Sequence, residues 1–451
     1  MKEKKIKNIL FIFFVALLLV VTLQSYIPIV KLKTLRGEYQ TATNPKFNSS
    51  SWFSGNYQSN FEKYTKDHLG FIPFFVRVHN QFLYSVLLQS PDHYIIYGKE
   101  AHIYDSYSII ANNYSFIGDS AINERIYRLS KVRDTLEKLN KKVVVLLAPN
   151  KVRTFSEYIP EQLKADLLGK KTNYEQTLKA LKNNSIAHID FNEWIFKLKQ
   201  TSPYAIMPKN DAHWTRYAAT LATDTIIKLI SKLENISLPK LIIDSLIHSK
   251  KPLFGDDDAG KVLNVFWLKN DNNLVYPIIH IDSTKADKNR IPRPLVMGDS
   301  FFWAIYDIGF LNQILRKGEF WYYCKEVFSG NIKDKKPLKD PLHTRDLHNE
   351  INRYDIFILI QTEDNLDNLG FGFIDLAYNM FFVDGIGYSR TDDSYQQRLK
   401  HYKRSIISDK KWLNSVKKFA KEANISIEEA ILKNAEYMVW SESATEPATG
   451  F

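Results

Sequence analysis

The segment Lys142-Val-Val-Val-Leu-Leu-Ala148 constrains the fold more than any other stretch, because its last six residues are all apolar and it stops at Pro149-Asn150. Just upstream, Ile126, Leu129, Val132, Leu136 and Leu139 recur at helical spacing. A one-sided helix that runs into a strand apolar on both faces needs a helix layer on each side of that strand. The alternation recurs downstream. Helices are expected over 174–182 and 216–233, a strand over 186–190, and further strands over 294–297, 320–327 and 355–360, with a helix after Ser300. The expected fold class is therefore α/β, a three-layer arrangement around a mostly parallel central sheet. Its sites are expected at the carboxyl ends of the strands.

The amino terminus fixes where such a domain resides. Residues 1–7 carry four lysines and one glutamate, and residues 8–30 then hold no charge across 23 positions. As a helix, that run reaches about 35 Å, enough to cross a hydrocarbon core of about 30 Å. A cleaved signal peptide is the competing reading, but residues 24–28, Gln-Ser-Tyr-Ile-Pro, offer no small-residue cleavage site. An uncleaved anchor is expected over 1–30. The preceding lysines stay in the cytoplasm and the chain from Lys31 onward is exported, so the outer domain faces the periplasm or the cell exterior.

The remaining organisation follows from composition. Residues 31–120 are aromatic-rich and polar, with a helical pattern over 61–90 broken at Gly70 and Pro73. The main domain is expected over 31–390. Residues 391–451 form a carboxyl-terminal segment of three amphipathic helices (395–408, 411–423 and 427–439, with Asp409 and Ser426 as caps) and a tail from Ser441. The formal charge of +11 is spread over short clusters, of which residues 333–336 are the longest. No aromatic-basic interleaving accompanies it, so nucleic acid is not an expected partner. One cysteine, Cys324, excludes an intramolecular disulfide and any cysteine-built metal site, and none stands after the apolar run for lipid attachment. His343, Asp346 and His348 sit in a polar stretch and read as solvated; no metal and no cofactor is expected.

Two elements carry chemistry. In Pro294-Leu-Val-Met-Gly298-Asp299-Ser300 a serine follows a short apolar strand and opens a helix, where backbone N–H groups and the helix dipole favour a developing oxyanion. Gly298 there permits a sharp turn and close approach of substrate to the backbone. By itself the tripeptide reads first as a capped turn. In Lys209-Asn-Asp211-Ala-His213-Trp214-Thr215, a carboxylate and an imidazole two residues apart share one loop, with Thr215 as N-cap of the next helix. Such a pair can hold the base that a serine nucleophile needs, with Trp214 packed beside the imidazole. It is equally a helix-capping loop with Trp214 in the core.

Taken together, the strand-end Gly-Asp-Ser and the Asp-x-His-Trp element that precedes it resemble the SGNH-hydrolase-like O-acetyltransferases of bacterial exopolysaccharide machinery, the AlgJ/AlgX-type or DHHW family. The resemblance spans residues 60–385 or so and includes Asp67-His-Leu-Gly-Phe71, Tyr97-Gly-Lys-Glu100, Pro149-Asn-Lys151 with Ser156-Glu-Tyr-Ile-Pro160, and Gln361-Thr-Glu363 with Gly370-Phe-Gly-Phe373. The last of these, and the helices over 412–435, are similar to Bacteroidetes members. The sequence departs at Phe155-Ser156, where the family often has Tyr-Pro, and at Tyr217-Ala218, where it often has Gly-Ala.

The resemblance implies an SGNH-hydrolase-like fold and a triad of Ser300 as nucleophile, His213 as base and Asp211 as its orienting acid. Asp299 then shapes the turn and Trp214 supports the base. Gly298, Asn150, Lys151 and Glu363 are candidates for oxyanion or substrate contacts. The implied activity is O-acetyl transfer, through an acyl-Ser intermediate, to hydroxyls of an extracytoplasmic polysaccharide. The implied donor partner is a multipass MBOAT-type membrane acyltransferase. A carbohydrate esterase uses the same triad, as does acyl transfer to a teichoic-acid-like polymer, and a non-catalytic glycan-binding or assembly protein can retain the fold.

Overall fold

A computed structural model of the chain describes residues 2–37, 41–167, 170–329, 347–382 and 393–423, with further positions between 426 and 438. The basic run at 333–336, the His343 and Asp346 pair and the tail from Ser441 lie outside the described residues.

The strands in chain order are β1 (Ile95–Tyr97), β2 (Ile103–Asp105), β3 (Lys142–Ala148), β4 (His188–Asp190), β5 (Lys240–Ser249), β6 (Leu274–Asp282), β7 (Pro294–Gly298), β8 (Glu319–Tyr322), β9 (Glu326–Ser329) and β10 (Ile356–Thr362). Six of them form the central sheet in the order β4-β3-β10-β7-β8-β9, parallel throughout except for the antiparallel β8–β9 pair. The principal helices are α1 (Lys2–Tyr26), α2 (Asn56–His68), α3 (Ile72–Phe82), α4 (Asp119–Lys138), α5 (Asn173–Asn183), α6 (Phe191–Thr201), α7 (Arg216–Glu234), α8 (Phe302–Asp307), α9 (Phe373–Phe382), α10 (Asp393–Ser408) and α11 (Lys410–Ala423).

Alternation along the strands divides the interior into two cores. Val144, Leu146, Val296, Ile358 and Ile360 face α6, α7 and α8. Val143, Val145, Leu147, Leu295, Met297, Phe357 and Leu359 face α4, α5 and α9. Both faces of β3, β7 and β10 thus meet helices, which is why these strands read as unbroken apolar runs. The protein is a mostly parallel α/β sandwich of the expected class.

The strand expected over 320–327 is two strands. The chain reverses at Tyr323 and Cys324, both at positive φ (49° and 52°), to make the β8–β9 hairpin at the sheet edge. Two consecutive left-handed residues match the strand twist, but no Asn-Gly signals the turn in the sequence. Two ribbons also arise outside the main sheet: β1–β2, and the long β5–β6 hairpin.

Helix α1 has an apolar window of mean hydropathy 2.6 between Lys4 and Tyr26, none of it buried within the protein. It fits a single-pass membrane anchor. Its carboxyl end leans on the α2–α3 junction, where Gly70 N donates to Ser25 Oγ at 2.7 Å. A Cβ at Gly70 would lie 2.2 Å from Val21 O, so glycine is required there by close approach as well as by the break between helices. At the other end, α10, α11 and residues 430–438 form a small core of their own around Leu399, Ile406, Val416 and Ala420, and Asp409 caps α11 through Lys411 N and Trp412 N.

Candidate active site

Ser300 stands at the carboxyl end of β7, and the Asp211–His213 loop lies between α6 and α7. Distant in sequence, they meet above the sheet. His213 Nε2 lies 2.7 Å from Ser300 Oγ, and His213 Nδ1 lies 2.7 Å from Asp211 Oδ1. An ionised carboxylate only accepts, so Nδ1 carries the imidazole proton and Nε2 is left to accept the Ser300 hydroxyl. Asp211 is 2% exposed, while the His213 side chain keeps 38% of its surface open.

Asp211 is fixed at each oxygen. Oδ1 also accepts His213 N at 2.8 Å, and Oδ2 accepts Asp258 N at 2.7 Å. Burial alone would raise this carboxyl, but His213 and the two backbone donors hold it below the usual carboxylate range. Burial works against the imidazolium as well, yet Asp211, with Asp299 and Asp258 further off, raises His213 above the ordinary histidine value. This is the electrostatic pattern of a base whose protonated form is stabilised where it forms.

Lys151 holds the loop from below. Its Nζ donates to Pro208 O (2.6 Å), Lys209 O (2.9 Å) and Asp211 O (2.7 Å). Burial pushes its ammonium down to about 7, but three carbonyls match its three N–H donors and favour the charged form. The ammonium is therefore committed to the catalytic loop, which corrects the expectation of a substrate contact. Asn150 similarly caps the turn after β3 through Val152 N and Arg153 N, and donates to Asp364 Oδ1 at 2.7 Å.

Glu363 is corrected in the same way. It lies buried in a two-pronged pair with Arg153, Nε to Oε2 at 2.7 Å and Nη2 to Oε1 at 2.6 Å. The pair ties the end of β10 to the turn after β3. Removing Glu363 takes both of these charged hydrogen bonds and leaves Arg153 with Glu175 Oε1 at 2.8 Å as its carboxylate partner, so Glu363→Ala is expected to cost about 2 kcal/mol of stability. A urea titration monitored by circular dichroism checks this through the midpoint.

Asp299 does shape the nucleophile turn. Oδ1 accepts Phe301 N at 3.1 Å, while Oδ2 accepts Thr362 N (2.7 Å), Thr362 Oγ1 (2.8 Å) and Asn365 Nδ2 (3.1 Å). One buried carboxylate thus fastens Ser300 to the end of β10. Gly298 serves packing rather than turning or substrate approach: it is the last residue of β7, and a Cβ there would lie 2.5 Å from Ile360 Cγ2 and 2.7 Å from Ile360 O. Trp214 lies beneath Phe301 instead of beside the imidazole, with Nε1 donating to Phe301 O at 3.2 Å. Phe301, 4.8 Å from the His213 ring centroid, is the residue that packs against the base. Thr215 caps α7 through Ala218 N.

Two cavities meet at Ser300, His213 and Phe301. The smaller, about 140 Å³, brings in Asp105, Tyr323, Asp364 and Asn365; the larger, about 310 Å³, brings in Arg216, Phe254, Asp256 and Trp303. Sequence reading missed all eight. Asn365 and Asp364 directly follow the Gln361-Thr-Glu363 stretch it singled out. Tyr323 was hidden by the unrecognised hairpin. Among the described residues no group of three or more His, Cys, Asp or Glu is placed to hold a metal ion.

Residues 97–241 match the family model described as ALGX, SGNH hydrolase-like domain, acetyltransferase AlgX. That stretch, about a third of the chain, is similar to the AlgX-type SGNH hydrolase-like domain. No curated protein sequence matches the chain. Solved structures similar to it include the O-acetyltransferase domain of Pseudomonas putida AlgJ (14% identity, 63% of this chain and 99% of that one, TM-score 0.38) and Pseudomonas aeruginosa AlgX (14%, 63% and 68%, 0.40). Bacillus cereus PatB1 with a sulfonyl adduct is also similar (13%, 57% and 93%, 0.36). The matched stretch runs from β1 into β5 and includes Asp211 and His213; Ser300 lies beyond it.

Proposed function

We propose that this protein is a serine-dependent O-acetyltransferase that acylates hydroxyls of an extracytoplasmic polysaccharide. The family model is that of an acetyltransferase and supports that activity. The observation that carries the residue assignment is the continuous chain from Asp211 Oδ1 through His213 to Ser300 Oγ, each link 2.7 Å.

In the first step Ser300 Oγ attacks the acyl carbonyl of the donor as its proton passes to His213 Nε2. Collapse expels the donor's leaving group, which takes that proton and leaves an acyl-Ser300 ester. In the second step an acceptor hydroxyl gives its proton to His213 Nε2 and attacks the ester. The proton returns to Ser300 Oγ as the acetylated sugar departs.

The oxyanion formed in each step needs donors aimed into the smaller cavity. We assign these to the Ser300 backbone N–H at the turn and to Asn365 Nδ2. The amide's longest bond, 3.2 Å to Thr362 Oγ1, is the one an oxyanion would replace. The Tyr323 hydroxyl shares the cavity, and burial pushes it up so that it stays protonated. Asn365→Ala is expected to lower kcat about 100-fold, with a smaller change in KM. Steady-state kinetics with an acetyl ester checks both.

The partner we propose is a multipass membrane acyltransferase of the MBOAT type, which would bring the acetyl group to the outer face. The place we propose is the inner membrane, with the catalytic domain on the periplasmic or extracellular side. Support for both comes from α1 and the basic residues before it, together with the extracytoplasmic character of the AlgX-type family.

The test is incubation of the full chain in detergent with p-nitrophenyl acetate, with and without oligosaccharide acceptors, followed by mass spectrometry of protein and sugar. Acetyl on Ser300 that passes to the sugar supports the transferase. Acetate release without acetylated sugar points to an esterase. A folded protein that never acylates at Ser300 overturns the reading.

A further inference from the structure

The larger cavity is built by parts that the triad does not use. Phe301 and Trp303 line it from the segment after β7, and Phe254, Gly255 and Asp256 line it from the segment between β5 and β6. Phe254 is 75% exposed, with its ring 5.6 Å from Tyr276 and the Arg216 guanidinium 5.9 Å from its centroid. Asp256 is only 6% exposed, and its Oδ2 has no hydrogen-bond partner although it lines an open cleft. A buried carboxyl oxygen without a partner is costly unless something that enters the cleft supplies one.

The chemistry divides the two cavities. Acyl transfer presents an alcohol portion twice at the same face of the acyl carbonyl, first as leaving group and then as acceptor. The small cavity, with Asn365 and Tyr323, suits the acetyl group and its oxyanion. The larger one, within the size range of small-ligand sites (about 300–1,000 Å³), suits the alcohol. An exposed aromatic ring beside a carboxyl and a guanidinium is a surface for a pyranose: its C–H face packs on the ring and its hydroxyls pair with the polar groups.

Resting on the transferase reading, we propose that this cleft is the acceptor subsite and that it takes a sugar unit bearing no carboxylate. The charges decide the second half. Asp256, Asp258 and Asp307 join Asp211 in the wall of the cleft, and Asp105 and Asp364 stand across the serine. Arg216 is the cation in the larger wall, and it already donates to Ala304 O (3.0 Å) and Asp307 O (3.2 Å). Lys151 spends its ammonium on three carbonyls. Burial pushes Asp256 and Asp364 up to about 7, and neighbouring aspartates add to the rise at each. A uronate would add a further negative charge to a wall whose lining holds four aspartates against one arginine, Arg216.

The experiment offers the full chain in detergent, acylated from p-nitrophenyl acetate, a β-1,4-linked glucose tetramer, a β-1,4-linked N-acetylglucosamine tetramer and a β-1,4-linked mannuronate tetramer. At least one uncharged tetramer is expected to be acetylated ten or more times faster than the uronate. Phe254→Ala should raise the KM of that acceptor about tenfold with less than threefold change in kcat. Asp256→Asn, of equal size, should narrow the preference over uronate several-fold. Uronate accepted as well as the uncharged sugars, or an acceptor KM indifferent to Phe254→Ala, overturns the subsite. So does acylated Ser300 that passes acetyl to none of the three. Ser300 that is never acylated overturns the transferase reading itself.

Discussion

Ser300→Ala is expected to lower acetyl transfer by about 10⁵–10⁶-fold, leaving only what binding and the oxyanion donors contribute. The fold should survive it. The hydroxyl's hydrogen bond with His213 is lost at a partly open site, and the carboxylate that fixes the turn belongs to Asp299, which bonds Phe301, Thr362 and Asn365 without help from Ser300. An unchanged thermal transition combined with loss of both acyl-enzyme and acetylated sugar, read by mass spectrometry, is the predicted outcome. Turnover near the wild-type level would remove Ser300 from the mechanism.

Asp211→Asn is expected to be almost as severe, about 10⁴-fold in kcat, and for a reason specific to this loop. The carboxylate accepts on both sides: Oδ1 from His213 N and Nδ1, Oδ2 from Asp258 N. An amide cannot do both. If its NH₂ faces Asp258, two donors oppose each other. If it faces His213, the ring must place its proton on Nε2, where it can no longer accept from Ser300. The pH profile gives an independent reading. The active base is neutral His213, whose pKa is raised above the ordinary value of about 6.5, so kcat/KM should climb with pH through a midpoint above that value. In Asp211→Asn the raising charge is gone and the midpoint should fall. An acid limb that stays in place in the variant would show that another group is being titrated.

The layers of the fold were legible because the sheet is covered on both faces, which leaves unbroken apolar strands such as Val143 to Ala148. The residues of the proposed triad were legible because their types sit at strand-end and pre-helix positions, and the structure brings them within hydrogen-bond distance. The β8–β9 turn was not, since Tyr323-Cys324 adopts positive φ without the glycine or asparagine that normally marks it. Lys151 and Glu363 were candidates for substrate contacts or for structural roles, and the sequence could not separate the two. A sequence shows a charge, but only the packing shows that three carbonyls or an arginine has already claimed it. Phe254 and Asp256 lie in a loop with no periodicity to read, and their neighbours come from α7 and the segment after Ser300.

The strand at the middle of the sheet is the last one made. β10 lies between β3 and β7, so until residue 362 has been made, β3 and β7 present open inner edges. The β3 side bears Lys151 and, through it, the loop of the acid and base; the β7 side bears the nucleophile. Insertion of β10 joins them, fastening Ser300 through Asp299 to Thr362. The proposed site is therefore complete only once β10 is in place. In the interval those two unpaired edges are open to pairing with another strand.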